Sequence, residues 1–335
     1  MKQTSLPEPK LQTAKLRTAF KTNEFILLVV FILVFILMSI LSPGRFLSRG
    51  NLQSMAYQLP EFGILALSMM LVIVSGGINL SLTFTATLSM IVGGLAMSTL
   101  SKNGAPPSLA IGAGIGLMFL TAIVCGSLNG FIVAYLGVIP MIATLGTSIF
   151  FEGISLNITK GGAISGFPME FIDIGNNAFL GIPIPMLIFA VVAVGMHLVL
   201  ERSSFGSKVY MTGSNPKVTQ YSGIQVKQVI FIVYMIAGFL AAIAGILMAS
   251  RYNSAKESYG SSYLLQSVAA SVLGGTDITG GEGKIIGTII AVMIVQVISS
   301  GLNIFGINRF IVNIVTGGIL LLVLTIKFFM NRQAK

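Results

Sequence analysis

The sequence predicts an all-α polytopic membrane protein with about ten transmembrane or half-spanning helices, some of them broken near Gly-Gly motifs. Three observations carry that expectation. Charged residues are 9% of the 335, where a soluble domain carries about a quarter, and so few could not coat a soluble surface. Apolar runs such as 179–200 and 229–250 reach the roughly 20 residues that a helix needs to cross about 30 Å of hydrocarbon. Between those two runs lies a polar island, Glu201 to Lys227, with Arg202, Lys208, Lys217 and Lys227 against the single acid Glu201. A long basic connector of this kind is expected in the cytoplasm, because Lys and Arg resist translocation.

Taken in order, residues 1–24 are polar and basic, and no small-residue cleavage pattern follows the apolar run after them. They read as a cytoplasmic tail ahead of a retained first span. The transmembrane domain is expected over 25–327, with spans at 25–42, 60–76, 81–99, 108–135, 138–158, 179–200, 228–250, 263–275, 285–303 and 308–327. Segments 263–275 and 60–76 look shorter than a full crossing, and both end in Gly-Gly. Residues 201–227 form the long cytoplasmic loop, and 328–335 a second cytoplasmic tail. With the N-terminus inside, an even number of crossings returns the C-terminus to the cytoplasm. That arrangement puts 13 of the 20 Lys and Arg on the cytoplasmic side, and Arg45, Arg49, Lys102, Lys160, Arg251, Lys256 and Arg309 outside. The bias has the sign expected of a membrane protein, so the net charge of +10 suits anionic lipids rather than nucleic acid.

Glycine is the next signal. The spacings Gly112/Gly116, Gly126/Gly130 and Gly283/Gly287 are small-xxx-small patterns, which let helix backbones approach closely in lipid. The paired glycines followed by polar residues differ. Gly76-Gly77-Ile78-Asn79-Leu80-Ser81 and Gly274-Gly275-Thr276-Asp277-Ile278-Thr279 both interrupt apolar runs. Broken helices at membrane depth are tolerated only where the freed backbone groups face protein or a wet cavity. Their shared pattern, Gly-Gly-x-(Asn/Asp)-x-(Ser/Thr), hints at an internal duplication. Gly76, Gly77, Asn79 and Ser81 are therefore expected to line a route through the protein, with Asn129 and Thr144 facing it as polar residues in apolar spans. The bland alternative is that these groups only tie helices together.

Several chemistries find no residues to carry them. Gly283-Lys284 lacks the first glycine and the Ser or Thr of a phosphate-binding loop, since Ile278 and Ile285 stand there. No metal set can be built around the lone His197, which reads as an interfacial residue, and Cys125 reads as a small packing residue. No serine nucleophile has a base close in sequence, so no enzyme site is expected. An ion-coupled carrier needs an ionisable group near the midplane. The candidates, Glu61 and Glu152, are expected at wet span ends instead. Energy must then come from elsewhere, and the polar island points to an ATPase made by another chain. Met211–Gly223 is expected to hold a short helix along the cytoplasmic face, capped near Ser214 or Asn215 with Pro216 at its first position.

From about residue 45 to 325 the chain resembles the permease subunit of ribose-type ATP-binding cassette importers, which carry pentoses, related sugars and a pentose-derived autoinducer. The resemblance rests on ordered pieces: Val74–Ser81, Asn129-Gly130, Ile139–Thr147, Ser204–Asn215, Ser222-Gly223-Ile224 and Val272–Gly283. Gly166–Met169 and Leu180–Pro185 are similar to the autoinducer permeases in particular. The resemblance implies a second permease subunit, the same or related, cytoplasmic ATP-binding cassette subunits, an extracytoplasmic substrate-binding protein and a bacterial inner-membrane location. It implies no cofactor in this chain, ATP and Mg being bound by the partner ATPases. ATPase coupling falls to Gly213, Ser214, Asn215, Pro216, Tyr221 and Gly223. Two departures stand out: Asn79 replaces the usual Asp, which keeps an acceptor but loses the charge, and Glu152 stands where relatives often have Arg.

Overall fold

The computed structural model describes residues 23–307 together with 311, 314, 317 and 318. Apart from those four positions the expected span 308–327 lies outside the described residues, as do the tail 328–335 and all but the end of the tail 1–24. In chain order the helices are α1 (Asn23–Leu41), α2 (Pro43–Phe46), α3 (Arg49–Val74), α4 (Leu82–Lys102), α5 (Pro107–Ala134), α6 (Pro140–Thr159) and α7 (Met169–Asn176). They continue with α8 (Ile184–Glu201), α9 (Ser204–Ser214), α10 (Pro216–Tyr221), α11 (Val226–Tyr252), α12 (Ser258–Leu273) and α13 (Ile285–Ile304). Among the described residues 8 of these are long and apolar enough to cross a membrane: α1, α3, α4, α5, α6, α8, α11 and α13. At 16 residues α12 is the short segment expected there. The chain is an all-α, multi-pass membrane protein.

Helix α3 is the centre. Every residue from Leu59 to Val74 is buried, and the helix packs against α8, α11, α12 and α13. Its start differs from expectation. The expected span 60–76 opened at Pro60 and Glu61, but the helix runs 26 residues from Arg49, with Pro60 inside it. A proline and an acid are tolerated in mid-helix where neighbouring helices satisfy the freed backbone and the charge, which a reading of local polarity cannot foresee. The expected span 179–200 begins instead at Ile184, because Ala178–Phe179 and Ile182–Pro183 pair as the tiny strands β2 and β3.

Close packing follows the small residues unevenly. A Cβ on Gly126 would lie 2.5 Å from the Tyr234 carbonyl oxygen, and one on Gly238 2.3 Å from that of Ala122, so α5 and α11 meet through glycine. Gly112 and Gly116 meet nothing within 4 Å, so their spacing serves no contact within the described chain.

Two ends of the bundle are distinct. At one, Lys284 pairs with Glu24 at 2.7 Å, and the Ile285 N–H donates to Glu201 Oε1 at 2.9 Å. At the other, strand β1 (Ile164–Ser165) pairs with β4 (Ser254–Ala255), and Ser98 Oγ donates to the Ser165 carbonyl at 3.1 Å.

Candidate functional site

The polar island folds into α9 and α10 at the Glu24–Lys284 end. Ser203 caps α9, its Oγ accepting the Gly206 N–H at 3.1 Å. Asn215 is extended, at φ −159°, and its Oδ1 accepts the N–H groups of Lys217 and Val218 at 3.1 Å each, with Pro216 in the first turn. The short helix expected in Met211–Gly223 is therefore present and capped by Asn215. Gly223, at φ +81°, ends it. Tyr221 is 91% exposed and Val218 57%, so the helix offers an apolar tip to solvent. Removing the cap in Asn215→Ala should cost about 1 kcal/mol, and hydrogen exchange at the Lys217 and Val218 amides should accelerate with little change elsewhere.

Three segments converge behind this helix. The Gly281 N–H donates to the Val74 carbonyl at 2.9 Å, joining the end of α3 to the loop before α13. Gly213 lies against both: a Cβ there would be 1.9 Å from the Val74 oxygen and 2.6 Å from the Gly281 nitrogen. Gly76 and Gly280 both stand at φ +90°, which glycine adopts freely, and a Cβ on Gly280 would fall 2.8 Å from the Gly76 Cα. The Tyr210 hydroxyl donates to the Gly283 carbonyl at 2.7 Å. Burial, with the Glu201 carboxylate nearby, pushes the Tyr210 phenol up to about 12, so it stays a donor at neutral pH. Helix α9, which leads directly into α10, thus ends on a backbone-to-backbone junction beside the break after α3.

The break itself carries a closed hydrogen-bond network. Asn79 Oδ1 accepts from the Ser81 N–H at 3.1 Å and from Ser81 Oγ at 2.8 Å. Ser81 Oγ in turn accepts from Asn129 Nδ2 at 2.7 Å, and Thr147 Oγ1 donates to Asn129 Oδ1 at 2.6 Å. Thr144 Oγ1 accepts the Leu80 N–H at 3.1 Å and lies 3.0 Å from the Ile78 carbonyl. Asn79, Ser81, Asn129 and Thr144 are all buried, so in this conformation their polar atoms face one another and join the start of α4 to α5 and α6. Thr147 was not singled out in the sequence, although it follows Thr144 by one helical turn on the same face. Asn79→Leu would leave the buried Ser81 N–H without its acceptor, a loss of about 1–3 kcal/mol. Melting of the purified chain and transport per folded molecule would separate a stability effect from a transport effect.

The second Gly-Gly segment makes the same side-chain turn. Asp277 Oδ1 accepts the Thr279 N–H at 2.9 Å and the Thr279 hydroxyl at 2.8 Å, as Asn79 does with Ser81. The likeness stops there, because the glycine at positive φ is the first of its pair in one segment, Gly76, and the second in the other, Gly275.

Glu61 sits differently from expectation. Glu61 is 1% exposed and lies well inside α3 rather than at a wet span end. Arg251, expected outside, is its partner, with Nε at 3.1 Å and a terminal nitrogen at 2.5 Å. The hydroxyls of Tyr252 and Tyr263 also reach Glu61 Oε1. Glu152 faces Glu257, whose carboxyl is raised by burial and then by the neighbouring Glu152 charge and hydrogen bond. A raised carboxyl favours the folded state when protonated, so this contact is strongest at low pH and weakens as pH rises from the ordinary carboxylate range through the raised value. Glu257→Gln should flatten that part of the pH dependence of the melting temperature. His197 Nδ1 contacts Glu201 Oε2 at 3.0 Å, beside the cap on α13.

A family model described as the branched-chain amino acid transport system permease component matches residues 51–324. The chain is 37% identical over 321 residues to the ribose import permease protein RbsC of Bacillus subtilis (strain 168), a match covering 93% of this chain and 96% of that protein. It is 36% identical over 267 residues to the autoinducer 2 import system permease protein LsrD of Yersinia enterocolitica, covering 78% of each. The LsrD of Escherichia coli K12 matches at the same identity and coverage. No solved structure matches the chain.

Proposed function

The chain belongs to this family of transport-system permease components, and from that premise we propose that it forms the translocation pathway for a sugar or sugar-derived small molecule, driven by ATP hydrolysis in separate subunits. The observation that carries this reading is the exposed tip of α10, joined through α9 to the Gly213–Val74–Gly281 junction, one step from the break at Gly76. A rigid connection of that kind lets a partner that moves α10 move the break. The cargo class follows the import permeases for ribose and autoinducer 2 that the chain resembles.

In this reading Gly213, Ser214, Asn215, Pro216, Tyr221 and Gly223 seat the chain in cytoplasmic ATP-binding cassette subunits, which bind the ATP and Mg. The chain itself carries no cofactor and catalyses no chemistry. Gly76, Gly77, Asn79, Ser81, Asn129 and Thr144 border the route. When the junction shifts, their mutual hydrogen bonds are exchanged for the hydroxyls of the cargo. A second permease subunit, the same or related, completes the pathway, and an extracytoplasmic binding protein delivers to it. The chain lies in the bacterial inner membrane with both termini in the cytoplasm. The ion-coupled alternative gains no support at Glu61, which is already paired with Arg251.

Reconstitution of the permease with its ATPase and binding protein tests this. Uptake should require ATP and survive collapse of the proton gradient, and Tyr221→Asp and Gly223→Arg should abolish both ATPase association and uptake. Uptake driven by a pH gradient in the absence of any ATPase would overturn the proposal.

A further inference from the structure

Near the β1–β4 end, opposite the glycine junction, the described residues line an open cavity of about 300 Å³ between α3, α11, α12 and α13. Its wall is polar, unlike the surrounding bundle. Side-chain amides come from Gln58, Gln266, Gln296 and Asn303, and a hydroxyl from Ser299. Two phenols, Tyr252 and Tyr263, stand beside them, and Tyr263 stacks on Phe62 with ring centroids 6.2 Å apart and planes at 22°. Amides gathered in this way can exchange hydrogen bonds with water or with a hydroxylated ligand.

We infer that this cavity binds a neutral, polyhydroxylated small molecule. Among the described residues its only charged lining residue, Arg251, is held by Glu61 in two hydrogen bonds, so that wall presents no free charge to a carboxylate or ammonium group. A zwitterionic amino acid therefore finds no counter-charge. Amides donate and accept at once, as sugar hydroxyls do, so the two match group for group. Gln296 Nε2 stands 3.4 Å from Gln58 Oε1, a loose pairing that a ligand hydroxyl can replace. The Phe62–Tyr263 stack offers an apolar face for the C–H side of a sugar ring. The volume lies at the lower limit of small-molecule sites, roughly 300–1,000 Å³, and suits a single ring.

Glu61 is a positioning residue here. Its Oε1 gathers Arg251 and both phenols, so it aims the tyrosines at the cavity without lining it. The cavity is distinct from the Asn79–Asn129 network, which lies at the break after α3. Its use as a first stop for cargo rests on the transport reading above, whereas the binding itself does not.

The test is protection of a cysteine. Ser299→Cys, in a Cys125→Ser background, is labelled with a small methanethiosulfonate reagent in the full purified chain, with D-ribose or leucine as probe. At D-ribose about tenfold above half-saturation, labelling should slow by about tenfold, and leucine should not slow it. Gln266→Cys repeats the measurement should Ser299→Cys fail to fold. Adding Gln296→Leu should abolish the protection. No protection by D-ribose at either cysteine, or protection by leucine alone, overturns the inference whatever the assembled transporter carries. Protection by D-ribose with no ATP-driven sugar uptake in the reconstituted assembly upholds the site and counts against the proposed function instead.

Discussion

Gly213→Ala is expected to lower ATP-driven uptake by more than tenfold while the chain still reaches the membrane. The added Cβ would sit 1.9 Å from the Val74 carbonyl oxygen, where ordinary contact begins at 3.4 Å. The obstacle is backbone, so no side-chain rotation relieves it. The end of α9 must move away from α3, and the Gly281–Val74 hydrogen bond must stretch or break. Forcing even one methyl into a packed site costs about 1–3 kcal/mol, and here the strain falls on the connection between α10 and the break. ATPase activity of the assembled complex should continue while uptake is lost, which is the signature of uncoupling. Gly44→Ala is the control, since nothing lies within 4 Å of it. Normal uptake by Gly213→Ala would show that the junction transmits nothing.

The second large effect concerns the ion pair in the membrane. Glu61→Met or Arg251→Met alone leaves a buried charge without its partner, which costs about 3–5 kcal/mol. The double variant Glu61→Met/Arg251→Met removes both charges, and replacing a buried pair with apolar residues is often close to neutral. Unfolding of all four corners of the cycle should show the double variant more stable than either single variant. Losses that simply add would mean that the two residues do not act as a pair.

These expectations separate what could be read along the chain from what could not. The spans at 25–42, 81–99, 108–135 and 285–303 fall within a few residues of α1, α4, α5 and α13, because a long apolar run is itself the requirement for crossing lipid. The α10 helix was equally legible. Asn215 and Pro216 are start signals that act on amides two and three residues away. The start of α3 was not legible, since Pro60 and Glu61 look like a boundary until Arg251 is brought beside them.

The amino-acid sequence by itself determined the class of the protein, the places where apolar helices break, and the short capped helix in the polar island. All of these depend on near neighbours and on the surrounding lipid. Only the tertiary structure decided that Glu61 meets Arg251 across 190 residues of chain. It alone brought Gly213 against Val74 and Gly281, closed the Asn79–Ser81–Asn129–Thr147 network, and gathered the amides of four separate positions around one cavity. Such contacts leave no local pattern: each partner alone is an ordinary glycine, amide or charge, and its energy exists only once packing has removed water or lipid from between the two.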